Sequence, residues 1–179
     1  MASDTLTRVR ALVAQGKVRV SDHGYDELAD DDILVTNVLD GVQSAILVED
    51  YPEFRKGPSV LVLQQDAAGR PIHVLWGIPK GPGRTGRCGN GLSTRSKSMV
   101  ERFHETENLM TRRTIKLIHQ GRYAAEIPIE LIEDDTAWSP YLSVEDATKL
   151  DAVRDALKEG DVAAAAKYGR VFELVPVAG

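Results

Sequence analysis

Residues 81–98 read GPGRTGRCGNGLSTRSKS, and the fold turns on how this stretch is understood. It carries Arg84, Arg87, Arg95 and Lys97 and no acid, in a chain of formal net charge −5. Leu92 is its single large apolar residue. A patterned sequence precedes it. A second one begins near Met110, like the start of a fresh protein. The stretch therefore reads as a basic Gly/Ser/Arg connector between two small modules. The expected organisation is a first domain at 1–81, a connector at 82–109 and a second domain at 110–179.

A chain of 179 residues has room for one domain or two small ones. Residues 1–80 carry net −4, 81–107 net +2 and 108–179 net −3. Neither module presents a broad nucleic-acid surface, although a local basic patch remains compatible with RNA. Cys88 is the only cysteine, which excludes an intrachain disulfide and a cysteine-rich zinc site. No apolar run approaches a membrane span, and the N-terminus lacks a signal-peptide core. The expected location is cytoplasmic, with no membrane partner.

The first module opens with a helix. Ser3 or Asp4 caps it, and Leu6, Val9, Leu12 and Val13 fall at helical spacing before Gly16. Residues 17–20 alternate like a strand, with Val18 and Val20 on one face. Ser21 or Asp22 caps a second helix through Leu28 and Ala29. Asp30, Asp31 and Asp32 then break the chain, and their charge suits the N-terminus of a third helix. Ile33, Val35, Val38 and Leu39 stripe that helix, and Gly41 ends it. Three strands follow, at 45–48, 59–64 and 71–77, with turns around Gly57-Pro58 and Ala67-Ala68-Gly69. Helices followed by a short antiparallel meander make an α+β pattern.

The runs VSDHGYDELADDDI (20–33), VLDGV (38–42) and VEDYPEFRKGPSVLVLQQDAAGRPIHVLWGIPKG (48–81) resemble domain-of-unknown-function family 4258. Its pattern is a Ser-x-His opening, a Tyr-Pro before a strand and a Gly-x-Pro-x-His strand. The family is itself similar to the RelE/MqsR-like ribonuclease toxins of bacterial toxin–antitoxin systems. The resemblance implies a RelE/MqsR-like domain with metal-independent RNA endonuclease activity and no cofactor, the activity weak or absent where the family's last strand is lacking. Two departures stand out. Arginines common in the family after the first His and before the Ile are replaced here by Asp26-Glu27 and Asp31-Asp32. The family's last strand, of the T-A-Y-x-P type, is missing.

The missing strand bears on the connector. With allowed synonymous codons, residues 85–94 read one nucleotide later give P-A-V-V-V-T-A-Y-R-P. Continuing to Glu105 gives a charged tail. The connector thus also reads as the product of a shifted frame, joining two genes into one chain.

From Asn108-Leu109-Met110 the second module begins. Residues 114–119 and 123–132 alternate around a Gly121-Arg122 turn, with Ala125, Ile127, Ile129 and Leu131 on one face. Trp138 to Tyr141 forms an aromatic turn that pins against a core or a partner rather than stacking on bases. Ser143 and Asp146 make a capping-box-like start. The helix behind it buries Ala147, Leu150, Val153 and Leu157 and stops at Gly160. Asp161 caps a short alanine helix, and 171–177 is a final strand. The expected unit is a separate ββααβ module. It resembles small bacterial proteins encoded beside such toxin-like domains, which implies an antitoxin partner role.

His23 and His73 are the main catalytic candidates, with Tyr51. Cleaving RNA without a metal needs a base for the 2′-hydroxyl, an acid for the leaving oxygen and cations for the phosphate. Histidine suits acid or base work near neutral pH. Arg55, Lys56 and Lys80 are the substrate-binding candidates. The plainer reading makes His23 a helix-end residue and His73 a satisfied strand residue. Asp22, His23 and Asp26 would need a third strong ligand from elsewhere to hold a metal, and no H-x-x-x-H spacing exists. The expected partners are RNA and a cognate antitoxin or toxin chain, or the other half of this chain. The alternative function is a non-enzymatic interaction module.

Overall fold

The computed structural model describes residues 3–79, 99–101, 110–133 and 140–176. Lys80, Trp138 and most of the connector, with its shifted-frame reading, lie outside these residues. The chain is α+β, with five helices and nine strands among the described residues.

Helix α1 (Asp4–Ala14) starts where the Leu6 N–H donates to Ser3 Oγ at 2.9 Å. It buries Leu6, Val9 and Leu12. Arg10 ties it to the next turn, donating to the carbonyls of Val42 at 3.1 Å and Ala45 at 2.8 Å. After strand β1 (Arg19–Ser21), Ser21 Oγ accepts from the Gly24 N–H and caps α2 (Asp22–Asp30). Helix α3 (Val35–Gly41) runs into a 3-10 turn at Val42–Ser44.

The aspartate run does not start α3. Asp30 closes α2, Asp31 caps its C-terminus, and Asp32 takes a left-handed φ of 60°. Aspartate tolerates that conformation better than most residues. The unfavourable charge at a helix C-terminus is offset by an ion pair from Asp32 to Lys158.

Strands β2 (Ile46–Tyr51), β3 (Ser59–Gln65) and β4 (Pro71–Gly77) form the antiparallel meander. β2 is longer than the expected 45–48, because a register shift between Leu47 and Glu49 lets pairing continue to Tyr51. Met99–Glu101, inside the expected connector, is strand β5. It pairs β4 in parallel and β1 antiparallel.

The second half supplies the hairpin β6 (Met110–Gln120) and β7 (Tyr123–Glu133), turning at Gly121 with φ 57°. Then come β8 (Tyr141–Ser143), α4 (Val144–Glu159), α5 (Val162–Ala165) and β9 (Arg170–Glu173). Ser143 caps α4, and Gly160 ends it at φ 74°.

This half does not stand as a separate ββααβ module. It has the additional strand β8, which pairs β1 on one side and β7 on the other. One sheet results, in the order β2-β3-β4-β5-β1-β8-β7-β6, with β9 also on β7. The physical reason is shared burial. Register aligns Val20, Leu142 and Leu131 across β1, β8 and β7. Val20 and Leu142 are fully buried there. Helices α1, α3 and α4 pack against the strands in one continuous core. Detaching the second half would expose that apolar surface to water.

Candidate functional site

Register places His73 and Tyr51 on one face of the meander. Ile46, Leu63 and His73 form one row, and Tyr51, Ser59 and Gly77 another. Val60, Val62, Val74 and Trp76 point the other way, into the core. His73 and Tyr51 therefore stand off the core, two strands apart and four residues apart along the strands. At strand spacings that is roughly 17 Å between their Cα atoms. A general acid and base must both reach one phosphodiester, so these two do not form a pair.

The Tyr51 hydroxyl donates to Glu49 Oε2 at 2.7 Å. That hydrogen bond to the carboxylate pushes the phenol's pKa above its usual value. Tyr51 thus holds its proton tightly, which weakens it as a proton donor. Arg55 and Lys56 lie exposed in the turn between β2 and β3.

His23 sits in the first turn of α2, its side chain 77% exposed and its Nε2 3.3 Å from Glu27 Oε1. Its relation to His73 follows from the sheet. Val20, Val100 and Trp76 share a row. His23 lies three residues after Val20 and His73 three before Trp76, on strands of opposite direction. Both histidines therefore lie toward the same end of the sheet. Strands β1 and β4 are two spacings apart, roughly 10 Å. His23 leaves that end on α2, whose Tyr25 and Leu28 join the core, while His73 points off the core, so the register brings the two histidines to one end of the sheet but not to one face. A groove of about 530 Å³, lined by α1, α3 and the start of α4, contains neither.

The aspartates beside His23 are committed elsewhere. Lys116 Nζ lies 2.5 Å from Asp22 Oδ1 and 2.7 Å from Asp26 Oδ1, and 5.4 Å from the Tyr25 ring centroid. Among the described residues no three His, Cys, Asp or Glu side chains come together as metal ligands.

A buried polar cluster lies where the two halves meet, and the sequence did not announce it. Asp151 and Arg154 of α4 are 4% and 1% exposed. Asp151 Oδ2 accepts from the Val35 N–H at 2.7 Å, and Arg154 Nη2 donates to the Ile33 carbonyl at 3.1 Å. The two side chains lie 3.4 Å apart. Burial raises the Asp151 carboxyl above its ordinary pKa, against the pull of the Val35 N–H and Arg154. The Tyr25 phenol faces Asp151 without a well-formed hydrogen bond, and burial raises its pKa strongly. A signal was present. Asp151 and Arg154 sit at i+4 from Ala147 and Leu150, inside the apolar stripe, where a charged pair three apart is out of place.

A family model described as a domain of unknown function (DUF4258) matches residues 20–84. The match spans α2 to β4 and so includes His23, Tyr51 and His73. No curated protein and no solved structure matches the chain.

Proposed function

We propose that this chain is a toxin–antitoxin-type module in one polypeptide. Its first half is a RelE/MqsR-like, metal-independent RNA endonuclease unit, and its second half is the partner that holds it. The observation carrying this reading is the grip of α4 on the α2–α3 bend, through Asp151 on the Val35 N–H and Arg154 on the Ile33 carbonyl. A partner that uses buried charges and completes a sheet clamps the bend that follows the His23 helix.

The chemistry follows from the residues. One histidine takes the 2′-hydroxyl proton, O2′ attacks phosphorus, and the bond to the 5′ oxygen breaks. The other histidine protonates that leaving oxygen, leaving a cyclic phosphate. Arg55 and Lys56, with Lys80, supply positive charge to the phosphate. Tyr51 is too far from His73 to share the step.

The test compares the full chain with Arg154→Ala, which removes one side of the clamp. Cleavage of a mixed RNA pool should rise in the variant and vanish on adding His23→Ala and His73→Ala. A folded Arg154→Ala chain with faster amide exchange at residues 33–35 that still leaves RNA intact would sink the enzyme reading.

A binding module without catalysis is the second reading. It is favoured by the openness of both histidines to solvent. Growth inhibition that persists in the double histidine variant would support it.

A further inference from the structure

Strand β6 is the outermost strand at one end of the sheet, and among the described residues nothing pairs its free edge. In an antiparallel pair, alternate residues turn their N–H and C=O groups away from the neighbour. β6 thus offers a row of unpaired backbone groups over 11 residues.

The other end of the sheet is built differently. β2 is 6 residues long, breaks register between Leu47 and Glu49, and carries Glu49 and Asp50. Bulges, brevity and charge are how edge strands resist pairing. β6 pairs β7 from end to end without a register break, and it has no proline. Ile115 and Leu117, 60% and 64% exposed, stand on its open face. Its cations are already matched, Arg112 by Glu133, Arg113 by Glu130, and Lys116 by Asp22 and Asp26.

We propose that β6 pairs antiparallel with β6 of a second copy of this chain, about a two-fold axis at Ile115, so that two sheets become one.

The charges of the strand choose both the partner and the register. An axis at Arg113 sets Arg113 opposite itself. An axis at Thr114 sets Arg112 opposite Lys116. An axis at Lys116 sets Lys116 opposite itself. Like charges directly opposite destabilise a strand pair. An axis at Ile115 opposes no like charges, and it alone pairs all 11 residues, from Met110 opposite Gln120 onward. Ile115 then meets Ile115, and Leu117 lies beside the aliphatic stem of Arg113. The exposed apolar pair is buried, and the open edge disappears.

The experiment measures the mass of the full chain by sedimentation at tens of micromolar, followed by two variants. The wild type should be a dimer. Ile115→Lys places two cations on the axis and should weaken dimerisation at least roughly tenfold. Its circular-dichroism spectrum should stay that of the wild type, because the residue is exposed. In a Cys88→Ser background, Ile115→Cys should form a disulfide-linked dimer on mild oxidation, since directly opposed Cα atoms lie at roughly 4.5–5.5 Å. Leu117→Cys should not. A wild-type monomer overturns the proposal, as does a dimer indifferent to Ile115→Lys. Cross-linking at Leu117 in place of Ile115 overturns it as well.

Discussion

Asp151 caps helix α3 from 116 positions away, its Oδ2 accepting the Val35 N–H at 2.7 Å. The cap residue of α3 is Leu34, which has no side chain to accept that bond. An orphan donor at a helix start is thus satisfied by the other half of the chain. Asp151→Ala removes the cap and leaves Arg154, 1% exposed, without its nearest carboxylate. The expected loss is about 3–5 kcal/mol, because an uncompensated buried charge remains. Asp151→Leu with Arg154→Met should cost much less than the sum of the single changes. Urea titrations of the variants decide this. A single-variant loss below about 1 kcal/mol would show that the pair is solvated rather than buried.

The same carboxyl sets a pH dependence. Burial raises its folded-state pKa above the unfolded one. Between those two values the native state binds more protons than the unfolded state, so falling pH favours folding there. Above the folded value the buried charge is a constant cost. Asp32 acts in the opposite sense. Its hydrogen bond to Lys158 lowers its pKa, so its contribution is present above the ordinary aspartate value and lost as pH falls through the lowered one. The stability of the wild type relative to Asp151→Asn should therefore rise as pH drops from about 7 toward about 4. A flat or falling difference would contradict a buried, raised Asp151.

Local structure was legible in the sequence, and long-range pairing was not. Ser3, Ser21, Ser143 and Asp161 each cap the helix expected of them, because a cap is decided within a few residues. The β3–β4 and β6–β7 hairpins follow from alternation and a turn glycine. The placement of Asp32 depended instead on Lys158 and Arg154, which lie far along the chain. The joining of β1 to β8 was likewise hidden, since nothing local distinguishes two short apolar strands that meet from two that do not. At the candidate site, the histidines were legible as residues. That both lie toward one end of the sheet emerged only with the register through β5, which lies in a stretch that composition marked as connector.

His23 and His73 should be dispensable for folding. His23 is 77% exposed and has a surface pair with Glu27, and His73 points off the core. Each alanine variant should fall within about 0.5–1 kcal/mol of the wild type. In the Arg154→Ala background each should lower RNA cleavage by roughly a hundredfold or more. A large stability loss with unchanged cleavage would assign both to structure.

Gly169 governs how the chain's last strand docks. A Cβ built on it would lie 2.1 Å from the Glu126 carbonyl oxygen and 2.9 Å from Ile127 Cδ1. Neither neighbour has room to yield. The Glu126 backbone belongs to the β6–β7–β9 ladder, where it faces Leu117 and Arg170, and Ile127 is fully buried. Gly169→Ala must therefore lift β9 away from β7. Four register pairs from Tyr123–Glu173 to Glu126–Arg170 would loosen, with the Leu174 N–H to Arg122 carbonyl bond of 2.7 Å. The expected cost is about 1–3 kcal/mol, as for other insertions into packed sites. Amide exchange reads it locally. Residues 171–174 should exchange faster in the variant, while α4, held by its own cap and by Asp151, keeps its protection. Unchanged exchange at 171–174 would mean that β9 does not need the close approach at Gly169.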